Sequence, residues 1–159
     1  PPAGGAPERA EDGGRYPVEA PIEVRFRDLD PMGHVNNAVY LTYLEVARAH
    51  YWRAMGLGEP TAIRTYVLAH AAIDYRSPVR LGDELVCGVR VESFGRRSFV
   101  MRYRLSERRS GRLVAEATTV QARFDYEAGR SIPIEDESKR RIRDFEKRDI
   151  PDRMPGGQG

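Results

Sequence analysis

The feature that most constrains the fold is a polar turn that leads directly into the most apolar helical segment of the chain. The stretch RDLDPMGHVNNAVYLTYLEVARAHYW spans residues 27–52. Beyond the turn the sequence predicts a helix, because apolar residues recur every three or four positions from Ala38 to Met55, at Leu41, Leu44, Ala47, Tyr51 and Met55. Further apolar residues flank this stripe, so we expect other structure to surround most of the helix. The polar turn is then either a helix cap or an active site.

Strand-like patterns fill most of the remaining chain. The segment IEVRFRD alternates apolar and polar residues and predicts a first strand with one apolar face, formed by Ile22, Val24 and Phe26. Four longer strand-like runs follow the helix, at about residues 63–76, 83–93, 97–107 and 112–126. The links between these runs are short and contain turn residues, which favours antiparallel pairing of consecutive strands as a meander. The sequence therefore predicts an α+β fold in which a curved antiparallel sheet wraps around one long central helix.

The length of 159 residues fits one folded domain with two tails. Residues 1–17 are rich in Pro, Gly and charge, so we expect a disordered N-terminal leader before a core at residues 18–128. Residues 129–159 form a C-terminal extension, in which about residues 134–148 predict a short charged amphipathic helix. The final segment PDRMPGGQG, residues 151–159, is expected to be frayed.

Composition excludes two broad classes of protein. Lys and Arg number 26 and Asp and Glu 24, so the net charge of +2 lacks the strong basic excess of a nucleic-acid-binding protein. No apolar stretch approaches the roughly 20 residues that span a bilayer, and none resembles a signal peptide, so we expect a cytoplasmic protein that does not act on membranes. The single cysteine, Cys87, lies in an alternating apolar stretch and is expected to be buried and unreactive. His70 is expected to be structural, and no metal site is predicted.

The segment DLDPMGHVNNAVYLTYLEVAR resembles the signature of the hotdog-fold acyl-CoA thioesterases of the 4-hydroxybenzoyl-CoA thioesterase-like group. Two later segments, IDYRSPVRLGDEL and GRRSFVMRYRL, are similar to a strand junction and a hairpin of that family. The resemblance covers about residues 20–127. It implies a hotdog fold and hydrolysis of an acyl-CoA thioester without a cofactor. It also implies a homodimer with sites at the subunit interface, or a homotetramer built from two such dimers.

The resemblance also implies which residues perform the chemistry. Asp30 matches the catalytic carboxylate, which either activates water as a general base or attacks the thioester as a nucleophile. The backbone N–H of Asn37 matches the oxyanion donor, and Gly33 allows the loop to fold closely over the substrate. His34 either orients Asp30 or the substrate, or shapes the loop. A helix N-terminus suits this task, because its unpaired N–H groups and positive dipole end stabilise developing negative charge.

Each of these residues also has a purely structural interpretation. Asp30 can serve as the acceptor of an Asx turn, and Asn37 can serve as a helix cap. Asp28 is expected to tie the loop to the end of the strand. Tyr40 either lines the acyl-binding channel or packs in the core. Glu45 is expected to pair with an Arg three residues later, or alternatively to reach the site of a neighbouring subunit.

Arg96 and Arg97 lie in the hairpin FGRRSF and are the candidates for binding the phosphates of CoA, because Arg offers charge and paired donors to phosphoryl oxygens. A solvated turn is the alternative. Two other functions fit the same motif: an acyl-acyl carrier protein thioesterase, and a non-catalytic acyl-CoA-binding protein on the same fold. The motif of the hotdog dehydratases is not recognisable in the sequence.

Overall fold

The computed structural model describes residues 14–57 and 65–153 of the chain. The predicted long helix is α1, Val39–Ala54. The C-terminal helix, predicted at about 134–148, is α2, Asp136–Glu146. The strands are β1 Val18–Glu23, β2 Tyr66–Tyr75, β3 Glu84–Phe94, β4 Ser98–Glu107, β5 Leu113–Asp125 and the short β6 Arg130–Ser131. The four long strand-like runs are thus confirmed, although residues 63 and 64 of the first run lie outside the described residues.

All strand pairs of the sheet are antiparallel, and the strand order is β1-β3-β4-β5-β2, with β6 beside β5. This confirms the predicted α+β architecture of one curved sheet and one long helix. The predicted meander is correct only for β3, β4 and β5. The prediction that β2 lies next to β3 is wrong, because β2 pairs with β5 at the opposite edge of the sheet. The link between them passes the polar turn, where the N–H of Val35 donates to the carbonyl of Val79 at 2.8 Å.

The first strand lies earlier than predicted. Its buried face consists of Val18, Ala20 and Ile22, and the strand ends at Glu23. The chain then forms a short 3-10 turn, in which the Phe26 side chain is 80% exposed instead of buried. Alternation alone did not reveal this turn, in which the Asp28 carboxylate accepts hydrogen bonds from Arg25 three residues earlier and from Tyr43 of α1.

The central helix packs one face against the sheet. Its buried side chains are Tyr40, Tyr43, Leu44, Ala47, Tyr51 and Trp52. The prediction that Leu41 belongs to the buried stripe is wrong, since this side chain is 43% exposed. Leu41 precedes Trp52 by eleven residues, about three turns, and therefore lies on the same flank of the helix. Trp52 stacks on Tyr66 of β2, so this flank faces the β2 edge of the sheet.

Helix α2 is attached to both the central helix and the sheet by one buried carboxylate. Glu146 accepts hydrogen bonds from the Tyr51 hydroxyl and from the backbone N–H of Val91, each at 2.7 Å. The pairing of β3 with β4 shifts register immediately after Val91. Arg148 donates both to Glu146 and to the Val91 carbonyl. The extension is therefore packed against the core, while residues 154–159 of the predicted frayed tail lie outside the described residues.

Residues 1–13 of the predicted leader also lie outside the described residues. Within the described part of that leader, the Tyr16 ring lies 5.1 Å from the guanidinium carbon of Arg90 and contacts the backbone at Gly88. Cys87 is buried, as predicted, and burial raises the pKa of its thiol to about 12. Among the helices of the described residues, none is long and apolar enough to cross a membrane.

Candidate active site at the start of the central helix

The polar turn is a compact loop closed by backbone pairing. Leu29 and Val35 form an antiparallel bridge, and the N–H of Asp30 donates to the carbonyl of His34 at 2.7 Å. Gly33 donates its N–H to the Asp30 carbonyl and has a φ of +80°, a conformation that residues with a side chain rarely adopt. The role predicted for Gly33 in folding the loop is thus supported by its backbone geometry. This loop places the residues of the motif beside the first turn of α1.

Asp28 holds the loop in place through its side chain and its carbonyl. Its side chain is 1% exposed and accepts hydrogen bonds from the backbone N–H and the guanidinium of Arg25 and from the Tyr43 hydroxyl. Its carbonyl accepts the N–H of Asn36 at 2.8 Å. Burial alone would raise the pKa of Asp28, but the hydrogen bonds from Arg25 and Tyr43 outweigh burial and lower it. Asp28 therefore ties the loop to the strand end and to α1, as predicted.

The carboxylate of Asp30 is held by its own turn. Its Oδ1 accepts the backbone N–H groups of Met32 at 2.8 Å and of His34 at 3.2 Å. The residue is half-buried. Within the described residues, Oδ2 of Asp30 has no hydrogen-bond donor, so one oxygen is held by the loop and the other is available to a water or a substrate. The Asx-turn interpretation and the catalytic interpretation are thus compatible, since each uses a different oxygen.

His34 contributes to the loop through its backbone. Its N–H donates to Asp30 and its carbonyl accepts from Asp30, while its backbone bridges to that of Arg80. The imidazole is half-buried and has no hydrogen-bond partner among the described residues. The geometry therefore supports a role in shaping the loop and in orienting Asp30 through the main chain.

The helix entrance offers a free backbone donor. The side-chain oxygen of Asn36 accepts the Ala38 N–H at 2.9 Å, and the Asn36 carbonyl accepts the Val39 N–H at 3.0 Å. Between them, the N–H of Asn37 has no acceptor among the described residues. The first turn of α1 contains no acidic residue that would compensate the positive end of the helix dipole. An oxygen that gains negative charge is the natural partner of this N–H.

Tyr75 belongs to this candidate site, although the sequence assigned no site role to it within the segment IDYRSPVRLGDEL. Its hydroxyl donates to the Asn37 carbonyl at 2.9 Å, and its ring packs edge-on against Tyr40 at 4.9 Å between centroids. Tyr40 is buried, which raises the pKa of its phenol, so it stays protonated at neutral pH. Tyr75 is 50% exposed. Its contact with Asn37 is a tertiary one. The last residue of β2 reaches the start of α1, because the strand runs antiparallel to the helix. The position of Tyr75 at the end of a strand is the one sequence signal that could have indicated this contact.

Arg96 and Arg97 are not brought to this turn within one chain. They lie in the β3–β4 hairpin, whereas Tyr75 pairs with Ala115, which in turn pairs with Leu105 at the far end of β4. Arg97 and Leu105 are eight residues apart along this strand, or about 26 Å, given a rise of about 3.3 Å per residue. The guanidinium of Arg97 donates to the Ser131 carbonyl at 2.9 Å. Within one chain, these two Arg residues therefore do not contact the residues of the Asp30 turn.

Three other predictions concern residues outside the turn. The ion pair expected between Glu45 and Arg48 is absent from the described residues, and the guanidinium of Arg48 donates instead to the Tyr103 hydroxyl at 3.3 Å. Glu45 is exposed on the flank of α1 that faces the β2 edge, and His70 is exposed on β2 itself. Among the described residues, no three His, Cys, Asp or Glu side chains are grouped as in a metal site.

Comparison with known proteins gives a consistent result. Residues 24–142 match the model of the thioesterase-like superfamily. The chain is 26% identical over 135 residues to the long-chain acyl-CoA thioesterase FadM of Escherichia coli, covering 82% of this chain and 100% of that protein. It is 30% identical over 76 residues to the chloroplastic acyl-acyl carrier protein thioesterase ATL3 of Arabidopsis thaliana, covering 46% of this chain and 40% of that protein.

Structural comparison agrees with the sequence matches. The crystal structure of a thioesterase from Thermus thermophilus, complexed with coenzyme A and zinc, is 37% identical to this chain. The two share a TM-score of 0.76 over 85% of this chain and 98% of that chain. These matches confirm the predicted hotdog fold and the predicted reaction class, which is thioester hydrolysis.

Proposed function

Because the chain belongs to the thioesterase-like superfamily, we propose that it hydrolyses acyl-CoA thioesters at the turn before α1. Asp30 acts on the reacting carbonyl and the N–H of Asn37 binds the carbonyl oxygen. The observation that carries the proposal is the coexistence, in one short loop, of a carboxylate with a free oxygen and a backbone N–H without an acceptor among the described residues. An inert helix cap would not need both.

The proposed reaction uses these two groups at different atoms of the substrate. Attack on the thioester carbon moves negative charge onto the carbonyl oxygen, where a positioned N–H donor such as that of Asn37 contributes about 2.7 to 4 kcal/mol in the transition state. In one route Asp30 removes a proton from water, the water oxygen bonds to the carbon, and the C–S bond breaks to release the CoA thiolate. In the other route Asp30 attacks the carbon itself, expels the thiolate, and the resulting mixed anhydride is hydrolysed by water. Both routes use the same oxygen of Asp30.

CoA is the proposed carrier of the acyl group for two reasons. FadM is an acyl-CoA thioesterase that this chain matches over its full length, and the Thermus thermophilus structure holds coenzyme A. Arg96 and Arg97 are exposed and available to phosphates. The acyl carrier protein alternative is favoured by the similarity to ATL3, which covers less than half of this chain. A comparison of kcat/KM for the same acyl group on CoA and on acyl carrier protein distinguishes the two carriers.

A homodimer formed through β2 is the proposed assembly. β2 is at the edge of the sheet, and within the described residues no strand pairs with its outer side. Exposed apolar side chains cluster along this edge, with Leu68 at 46% and Tyr75 at 50% exposure, and Leu41 of α1 lies on the flank above it. Edges of this kind are normally covered in native proteins, and homo-oligomers are most often two-fold symmetric dimers. The predicted homotetramer and the predicted cytoplasmic location remain predictions.

A two-fold pairing of β2 strands explains the position of the two Arg residues. In such a pair the Tyr66 end of one strand lies beside the Tyr75 end of the other. Arg123 of β5 lies opposite Tyr66 of β2. The N–H of Arg123 donates to the Arg97 carbonyl at 2.8 Å, which places the β3–β4 hairpin near this strand end. The hairpin therefore belongs to the Tyr66 end and would approach the partner's Asp30 turn. This supports the assignment of Arg96 and Arg97 to CoA bound at the partner's site.

The hydrolytic proposal is tested by a thiol-release assay over short, medium, long and aromatic acyl-CoAs. Wild type is compared with Asp30→Asn and with the control Asp125→Asn. Asp125 also accepts two backbone N–H groups of its own turn, from Glu127 and Ala128, but it lies at the end of β5. The control therefore reproduces the loss of a turn-forming carboxylate without touching the Asp30 turn of its own chain.

We expect wild type and Asp125→Asn to turn over the same substrates and Asp30→Asn to lose at least about a hundredfold in kcat at matched folding and oligomeric state. Equal activity of Asp30→Asn and wild type would remove Asp30 from the mechanism. Binding of acyl-CoA without any hydrolysis would instead favour the non-catalytic alternative.

The assembly is tested by sedimentation velocity on Leu68→Glu and, as control, Leu81→Glu. Both Leu side chains are about half exposed, so neither substitution should unfold the chain, but Leu81 follows Arg80 in the link before β3. We expect Leu68→Glu alone to shift the protein toward monomer and to reduce activity with it. An unchanged dimer in Leu68→Glu would contradict the proposed β2 pairing.

A further inference from the structure

A pocket of about 180 Å³ lies at the opposite end of α1 from the Asp30 turn. Trp52 and Tyr66 form its aromatic side, with ring planes 3° apart and centroids 5.8 Å apart. Its walls come from the end of α1, the start of β2, β5 and helix α2. The lining residues are Trp52, Met55, Leu57, Thr65, Tyr66, Arg123, Ser138, Arg141 and Ile142.

The pocket is remote from the Asp30 turn of its own chain. Helix α1 has 16 residues and is therefore about 24 Å long. Tyr40 at its start contacts Tyr75, and Trp52 near its end contacts Tyr66, so the helix runs antiparallel to β2 beside it. The pocket and the turn thus occupy opposite ends of the same helix and strand.

If two β2 strands pair in a dimer, the pocket of one protomer lies close to the Asp30 turn of its partner. The two-fold axis that relates the strands places the Tyr66 end of one protomer beside the Tyr75 end of its partner. Neighbouring strands are only about 4.8 Å apart. Tyr75 contacts Asn37, so each pocket would lie next to the partner's Asp30 turn and not next to its own.

The pocket combines an apolar part with polar residues, the latter being Thr65, Arg123, Ser138 and Arg141. The inner wall consists of Ile142, which is buried, together with the aromatic pair of Trp52 and Tyr66. The guanidinium of Arg123 already forms an ion pair with Glu135 at 3.0 Å. The remaining Arg of the lining, Arg141, is exposed. An apolar cavity of about 150 Å³ accommodates benzene, so this volume matches a phenyl ring or a chain of about six carbons.

We propose that this pocket binds the distal end of the acyl group whose thioester is held by the partner's Asp30 turn, and that it selects medium-length or aryl acyl groups. This inference rests on the proposed acyl-CoA hydrolysis and on the β2-paired dimer. Helix α2 then has a role in specificity, because it supplies Ser138, Arg141 and Ile142 to the wall. Glu146 holds the helix in that place through Tyr51 and Val91.

Trp52 is the single tryptophan of the chain, so intrinsic fluorescence reports on this pocket directly. Asp30→Asn, which should bind without hydrolysis, is titrated with CoA alone and with butanoyl-, octanoyl-, dodecanoyl- and phenylacetyl-CoA. We expect CoA alone and butanoyl-CoA to leave the emission nearly unchanged, and octanoyl- and phenylacetyl-CoA to change it saturably. A response that is the same for CoA alone and for every acyl-CoA would overturn the proposal.

A second measurement fills the pocket. Ser138→Phe places a ring into it, and Glu137→Phe adds the same ring to an exposed neighbouring position of α2 that does not line the pocket. We expect Ser138→Phe to lose at least tenfold in kcat/KM for octanoyl-CoA relative to butanoyl-CoA, and Glu137→Phe to keep the wild-type ratio. An unchanged ratio in Ser138→Phe would refute the acyl subsite.

The two proposals fail in different ways. If wild type hydrolyses acyl-CoAs but neither Trp52 emission nor the Ser138→Phe profile depends on acyl length, the pocket assignment is wrong and hydrolysis stands. If no acyl-CoA is hydrolysed, the proposed function is wrong. In that case the fluorescence titration still decides the pocket, since a length-dependent response identifies an acyl-binding site and a uniform one excludes it.

Discussion

Replacing Asp28 by Asn tests whether the loop depends on one buried ionised carboxylate. Asn has nearly the same shape, so the variant removes the charge and one acceptor without leaving a cavity. In the folded protein the carboxylate accepts the Arg25 backbone N–H at 2.9 Å and the Tyr43 hydroxyl at 2.8 Å. The guanidinium of Arg25 adds an ion pair at 2.8 Å.

The magnitude follows from these contacts. Each hydrogen bond from a neutral donor to a buried carboxylate contributes about 1.5 kcal/mol at the low end of the measured range. Both hydrogen bonds end on Oδ2, so the amide oxygen of Asn can still accept them, each then contributing about 1 kcal/mol as a neutral pair. The expected loss is therefore about 1 kcal/mol, and the guanidinium adds little, because the Arg25 side chain is 44% exposed and its charge is screened by water. For a chain of this size, about 1 kcal/mol corresponds to a Tm lower by roughly 3 °C.

The loss should depend on pH in a defined direction. The pKa of Asp28 is lower in the folded protein than the value of about 3.9 for an unfolded chain. Its contribution is therefore fully present above about pH 5 and is lost as the pH falls through the folded-state pKa. We expect the difference in unfolding free energy between wild type and Asp28→Asn to be about 1 kcal/mol at pH 7 and to shrink below pH 4.

The assay is urea unfolding followed by Trp52 fluorescence, at fixed protein concentration and at both pH values. Glu23→Gln, an exposed carboxylate at the end of β1, is the control and should change stability by less than about 0.5 kcal/mol. An Asp28→Asn variant as stable as wild type at pH 7, or a difference that grows as the pH falls, would show that the loop does not depend on an ionised Asp28.

Three further predictions concern groups outside the turn. Glu146→Ala should cost about 3 to 5 kcal/mol by urea unfolding, because it leaves Tyr51 and the Val91 N–H without their acceptor, whereas Glu146→Gln should cost clearly less; equal losses would contradict this. Cys87 should resist an aromatic disulfide reagent at pH 8 until the protein unfolds, since its thiol is buried and has a pKa of about 12; rapid labelling of the native protein would contradict its burial. Gly88→Ala should displace Tyr16, because an added Cβ would lie 2.7 Å from its ring, and trypsin should then cleave faster after Arg15; an unchanged rate would show that Tyr16 accommodates the methyl group.

The elements that the sequence predicted well are those set by local periodicity. Helix α1 and strands β3, β4 and β5 lie close to their expected bounds, because their apolar spacing reflects a face buried along their whole length. The position of β2 beside β5 was not predicted, since alternation records which face is buried but not which strand is the neighbour. The early end of β1 was missed because the apolar alternation continues through Val24 and Phe26, whereas the chain turns there and Asp28 accepts hydrogen bonds from Arg25 and Tyr43.

In the candidate site, too, the residues close together in sequence were predicted and the distant ones were not. Asp30, Gly33, His34 and Asn37 lie within eight residues of chain, so a motif could identify them and the structure places them in one loop. Tyr75 was not assigned to the site from the sequence, because its contact with Asn37 joins β2 to the entrance of α1. The two residues are 38 positions apart in the chain. The pocket around Trp52 combines four elements distant in sequence, and no local pattern encodes such a combination.

The most direct test of Asp30 and Asn37 as the reacting groups is a crystal structure of the protein with a non-hydrolysable acyl-CoA analogue in which a ketone replaces the thioester. We expect the ketone oxygen to lie about 2.7 to 3.1 Å from the backbone nitrogen of Asn37. We also expect the free oxygen of Asp30 to lie near the ketone carbon, directly or through one water. An analogue whose ketone lies away from both Asp30 and Asn37, while its CoA part is ordered, would contradict the claim that this turn is the active site.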